Sequence, residues 1–78
     1  MDKKIEPKLA YIVYKEDDYY VAQIPALLIS EFGATEDEAL KNLVKMGKEV
    51  FDIEKEHGNP LPTYEESVKA LNKYKKSK

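Results

Sequence analysis

The chain has no cysteine and no tryptophan, only one histidine, and lysine as its sole strongly basic residue. Without cysteine there is no disulfide framework and no thiolate metal site. Without arginine the chain lacks the planar fork used for bidentate contacts to phosphate and guanine, which argues against sequence-specific DNA binding by this domain alone. Three scattered glycines form no phosphate-cradling loop. The longest run free of charge, residues 19–30, is far short of the roughly 20 residues of a membrane span. Met1-Asp2-Lys3-Lys4 leads towards a strand-like pattern with no apolar secretion-signal core. The expected location is cytoplasmic, away from membranes.

What remains is a 78-residue chain with 42% hydrophobic and 36% charged residues, the balance of one small globular domain. A domain of this size buries only roughly 60 to 65% of its extended-chain surface, and no staple is present, so a homodimer is expected. The net charge of −2 conceals an asymmetry. Lys69, Lys73, Lys75, Lys76 and Lys78 sit in a tail without acids, and every acidic residue precedes Ser67. An acidic body with a basic, solvated end is the result.

Leu9-Ala10-Tyr11-Ile12-Val13-Tyr14, within Lys8 to Lys15, is rich in β-branched and aromatic residues and predicts a strand. Glu16-Asp17-Asp18 supplies a turn, and Tyr19 to Ile24 predicts a second strand closed by Pro25. Leu27 to Phe32 reads as a third strand ended by Gly33. Thr35-Glu36-Asp37-Glu38 is a capping box. Behind it Ala39, Leu40, Leu43, Val44, Gly47, Val50 and Phe51 recur at helical spacing, which predicts a helix over 36–57. His57-Gly58-Asn59-Pro60 stops it. Thr63-Tyr64-Glu65-Glu66 repeats the capping pattern, and Tyr64, Val68, Leu71 and Tyr74 could line a second helix over about 64–75. Met1–Pro7 reads as a loose leader.

Catalysis finds little material. His57 falls in the last helical turn, where a cation suits the dipole. Ser30, Ser67 and Ser77 stand in no nucleophile-elbow or triad context. Glu54-x-x-His57 supplies one carboxylate–imidazole pair where metal-binding bundles use several. The expectation is a non-enzyme with no cofactor and no metal. Binding has more to work with. Strand alternation places Leu9, Tyr11 and Val13 beside Tyr20, Ala22 and Ile24, and puts Ala10, Ile12, Tyr14, Tyr19 and Val21 on the opposite face. One long helix covers one face only. The other is either covered by the C-terminal helix or kept for a partner, with Ile12, Tyr14, Tyr19, Val21 and the acidic turn Glu16, Asp17, Asp18 as the candidate contacts.

The order of these features resembles the HicB-like antitoxin domain over residues 8–62. Tyr20-Val21-Ala22-Gln23-Ile24-Pro25 is similar to that family's aromatic–x–Ala–x–aliphatic–Pro strand end. Gly33, Thr35, Glu38, Ala39 and Leu40 follow its Gly-x-Thr-x-x-Glu-Ala helix start, and Gly58-Asn59-Pro60-Leu61-Pro62 its Gly-x-x-Pro-x-Pro close. The resemblance implies a HicB-like domain over 1–62 with a C-terminal helix and basic tail over 63–78. The implied fold is an α+β, β-β-β-α core with partial ribonuclease-H-like topology, completed by a short helix or a fourth strand. It also implies a role: binding and neutralising a small HicA-like toxin that cleaves messenger RNA. Two other readings share the residues, a stand-alone interaction or scaffold domain without a toxin, and a small enzyme built on His57 and nearby acids.

Overall fold

The computed structural model describes residues 9–77; the leader expected over Met1–Pro7 lies outside them. Strands β1 (Ile12–Glu16), β2 (Tyr19–Ile24) and β3 (Ile29–Gly33) form one antiparallel sheet in the order β1-β2-β3. Helices α1 (Glu36–Glu56) and α2 (Tyr64–Ser77) follow, giving the expected α+β arrangement with a helix, not a strand, at the C-terminal end.

Two strand boundaries differ from the sequence reading, and Pro25 explains both. The β1–β2 ladder begins at Ile12 opposite Gln23. Carried back, the same register would set Ala10 against Pro25, which has no N–H to give and a fixed φ. Ala10 instead donates its N–H to Ser67 Oγ at 2.9 Å, so Leu9 to Tyr11 leave the sheet. On the far side, Pro25–Leu27 forms a single 3₁₀ turn closed by Leu28 N–H donating to Pro25 O at 3.1 Å. β3 therefore starts at Ile29 rather than Leu27. The hairpin itself is a two-residue connection in which Asp17 adopts φ 46°, a left-handed conformation that aspartate tolerates.

The register sorts the sheet into two faces. Tyr11, Val13, Tyr20, Ala22, Ile24 and Ile29 meet α1, and the core gathers Leu9, Ala22, Ile24, Ala39, Leu43 and Phe51. On α1 the buried positions are Ala39, Leu43, Gly47 and Phe51, a stripe at every fourth residue. The helix is about 31 Å long at 1.5 Å per residue, nearly twice the length of a five-residue strand, so its C-terminal turns outrun the sheet. Leu9 and Leu61, from the segments before β1 and after α1, join Phe51 in the core. The first turn of α1 sits directly on β3. A Cβ added to Gly33 would lie 2.4 Å from Ala39 N, so only glycine permits this approach.

Both helices begin on capping boxes, with one variation. Thr63 Oγ1 accepts from Glu66 N at 3.1 Å while Thr63 N donates to Glu66 Oε1 at 2.8 Å, the reciprocal pair. At α1, Thr35 Oγ1 accepts from Glu38 N at 3.1 Å, but Glu38 Oε1 accepts from Ala34 N at 2.8 Å, one residue further back. α1 ends in a Schellman motif: Asn59 N donates to Glu54 O, Gly58 N to Lys55 O, and Gly58 adopts φ 71°.

Phe51 is buried in the core, whereas Ile53, two positions on, is half exposed. Phe51→Ala should cost roughly 3 to 5 kcal/mol and Ile53→Ala within about 0.5 kcal/mol. Urea unfolding of the two variants checks the assignment of faces.

Candidate protein-interaction site

The second sheet face is ordered in rows. Ile12, Gln23 and Ser30 form one, Tyr14, Val21 and Phe32 the next, and Glu16 and Tyr19 the last. α2 lies over the first row. It is anchored by Ser67, which is fully buried, accepts from Ala10 N and donates its hydroxyl to Tyr64 O at 2.6 Å. Further along, the Tyr14 hydroxyl hydrogen-bonds with Tyr74. The expected inward stripe is thereby shifted: Ser67 is at its centre, and Tyr64 is exposed. Sequence alone assigns Ser67 no structural role, because the backbone N–H that its hydroxyl accepts from is distant in sequence.

The cover is incomplete. α2 packs chiefly on the Pro25–Leu27 turn and leaves a groove on each side. On the β3 side an apolar groove of about 460 Å³ is lined by Pro25, Leu28, Ile29 and Ala70, with Gln23 in its wall. Gln23 Oε1 is buried without a hydrogen-bond partner among the described residues, a costly condition for an amide. On the β1 side a smaller groove of about 250 Å³ lies between Ile12, Tyr14, Tyr74 and Lys75.

Beyond α2 the Phe32 end of the second row and the last row are open. Phe32 is 56% exposed and Tyr19 36% exposed, and their rings meet edge to face with centroids 5.6 Å apart. The hairpin turn Glu16, Asp17, Asp18 lies at this end of the sheet. So does the α1 start at Glu36, Asp37 and Glu38, because Gly33 pairs with Tyr20 and the chain then enters α1. All six acids are exposed. Two acidic segments far apart in sequence therefore frame one aromatic pair.

At the opposite end of β3 stands Leu28, 93% exposed and at φ 56°. The left-handed conformation costs a residue with a Cβ about 1 to 2 kcal/mol, and this side chain recovers nothing by burial. Leu28 is stereochemically and hydrophobically misplaced for an isolated domain.

The structure thus divides the sequence-expected contacts. Tyr19 and the acidic turn remain accessible, Ile12 and Tyr14 are half-buried near α2, and Val21 is buried. The motif residues Tyr20, Ala22, Pro25, Gly33, Thr35, Glu38, Ala39 and Leu40 serve the fold, in the core, at the kink after β2 or at the α1 cap. His57 is the exposed C-cap of α1. Among the described residues no group of three or more histidine, aspartate or glutamate side chains could hold a metal ion, and no helix is long and apolar enough to cross a membrane. Phe32, Leu28 and Gln23 were missed from sequence. Phe32 and Leu28 read as ordinary strand residues, and only the register reveals that nothing covers them. Comparison with family models, curated proteins and solved structures gives no match to this chain.

Asparagine tolerates the left-handed region, so Leu28→Asn should stabilise the dilute protein by roughly 0.5 to 1 kcal/mol, read as a higher urea midpoint. A second expectation concerns pH. Burial, then the hydrogen bond with Tyr74 and the neighbouring Tyr74, Glu16 and Tyr19, raise the Tyr14 hydroxyl above its ordinary pKa of 10.0. A raised folded-state value means the contribution is fully present below about pH 10, the unfolded tyrosine value, and is lost as pH rises through the folded value. Tyrosinate absorbance should show one late-titrating hydroxyl that disappears in Tyr14→Phe.

Proposed function

We propose that this protein binds and neutralises a small, basic, RNA-cleaving partner of the HicA type, occupying the surface with which that partner holds RNA. The observation that carries the reading is the exposed Tyr19–Phe32 pair framed by the acidic turn and the acidic α1 start. A nuclease presents positive charge to phosphates, and an acidic domain competes for the same surface. Aromatic side chains at the centre with charge at the rim suit a protein interface, where the rings anchor and the acids steer. The role is competitive binding and uses no cofactor. Self-association belongs to the same reading, since a core this small has no staple.

The test is co-purification with the product of the adjacent reading frame, followed by RNA cleavage with and without this protein. Cleavage should stop near equimolar ratio. Asp17→Lys with Asp18→Lys should slow association roughly tenfold at low salt and far less at high salt. A cognate nuclease that cleaves equally well in the presence of the protein rejects the proposal. A basic partner without nuclease activity, bound at the same acidic end, would support a stand-alone interaction domain instead.

A further inference from the structure

Phe32 O accepts a hydrogen bond from Asn42 Nδ2 at 2.8 Å, which shows that the Phe32 peptide points away from β2. β3 is an edge strand. Strand alternation then turns the N–H and C=O of Ser30 the same way, out of the sheet edge. Leu28 precedes Ser30 by two residues and Phe32 follows it by two. An antiparallel copy of β3 centred on Ser30 therefore brings Leu28 of each chain, just outside the strand, level with Phe32 of the other. These are the two most exposed large hydrophobic side chains among the described residues.

We propose that a second copy of this chain docks on the β3 edge about a two-fold axis at Ser30, joining two three-stranded sheets into one of six strands. The contact rests on the self-association already proposed and gives it a surface; it does not depend on any nuclease. Four observations favour a second copy as the occupant, and a fifth sets the extent of the ladder. Two Ser30 residues on the axis exchange both backbone hydrogen bonds, the pairing that an isologous contact requires. The backbone groups that could extend the ladder on one side, Leu28 N and Phe32 O, are already satisfied by Pro25 O and Asn42, which limits the ladder to its centre. On the edge itself Ile29, Ser30, Phe32 and Gly33 carry no charge, so identical edges approach with little repulsion, whereas the acidic end would oppose its own copy. Glu31 in this register faces Ile29 of the second chain and not its own counterpart. Finally, the exposure of Leu28 at φ 56° is explained, because the side chain unsupported in one chain is covered in two.

The face suggested by sequence alone, Ile12, Tyr14, Tyr19 and Val21, is less suitable. Val21 is already buried, and Ile12 and Tyr14 line a groove with Tyr74 of α2.

Sedimentation equilibrium of the full chain over a wide concentration range is the experiment. The wild type should shift from one 9.0 kDa chain towards two as concentration rises. Ser30→Pro removes the outward N–H at an edge, where proline is tolerated, without touching the β2 ladder. Leu28→Asn removes the apolar contact while relieving the backbone. Each should raise the dimer dissociation constant at least about tenfold. Leu28→Asn decides the matter if the proline variant fails to fold. A wild type that stays monomeric into the hundreds of micromolar overturns self-association altogether. A dimer left intact by Leu28→Asn overturns this surface alone. Asp17→Lys with Asp18→Lys should leave dimerisation unchanged, which separates this contact from binding of a basic partner.

Discussion

The central strand β2 is apolar on both sides. Ala22 and Ile24 are fully buried against α1, and Val21, just before Ala22, is nearly so on the other face. A sheet with two apolar faces needs two covers, and a chain of this length has one good helix to offer. α1 is long, well capped and apolar at every fourth position, and it takes the first face completely. α2 is left for the second. It carries three lysines in its second half and a serine at its buried centre, and it is tied down by hydrogen bonds at Ala10 and Tyr14. The grooves along α2 and the bare aromatic pair beyond it are consequences of that imbalance.

Much of the fold was legible because its signals are local. A capping box followed by fourth-residue apolar spacing fixes α1, and the Gly58-Asn59-Pro60 stop fixes its end within one residue. The hairpin turn was equally plain, since two aspartates between apolar runs have little else to do. What resisted reading was non-local. Pro25 was seen as the end of β2, but not as the start of a 3₁₀ turn that delays β3 by two residues. The structural role of Ser67 stayed hidden because its partner, Ala10 N, is 57 positions away. The interaction site fared in the same way. Its acidic segments were each readable as a turn and a helix start, but only the pairing of Tyr20 with Gly33 puts them at one end of the sheet.

Leu28 shows why local rules can fail informatively. Glycine or asparagine is the residue that a left-handed position after a 3₁₀ turn calls for, and an exposed position calls for a polar one. Leucine breaks both rules at once. Violations of local consistency with no gain inside the fold are expected where the gain lies outside it. Gln23 makes the same argument from polarity: its buried Oε1 is unpartnered on the wall of the groove that Leu28 lines.

These two irregularities sit at one end of β3, and the acidic, aromatic surface sits at the other. The separation has a physical basis in the charge distribution. A small acidic domain can present an identical surface to itself only where that surface is neutral, because like charges in an interface cost several kcal/mol. The uncharged run 19–30 meets this condition, and it ends at Ser30 on the exposed β3 edge. The acidic segments, by contrast, suit a basic partner and repel a copy. Phe32 lies between the two territories: it touches Tyr19 on one side, and in the proposed dimer it would face the Leu28 of a second chain across the axis at Ser30. A dimer joined there would set Leu28 of one chain next to the Tyr19–Phe32 pair of the other and so enlarge the apolar centre of the acidic surface. In such a dimer, association of copies and capture of a basic partner would favour one another, since each copy would add apolar area to the site on its neighbour.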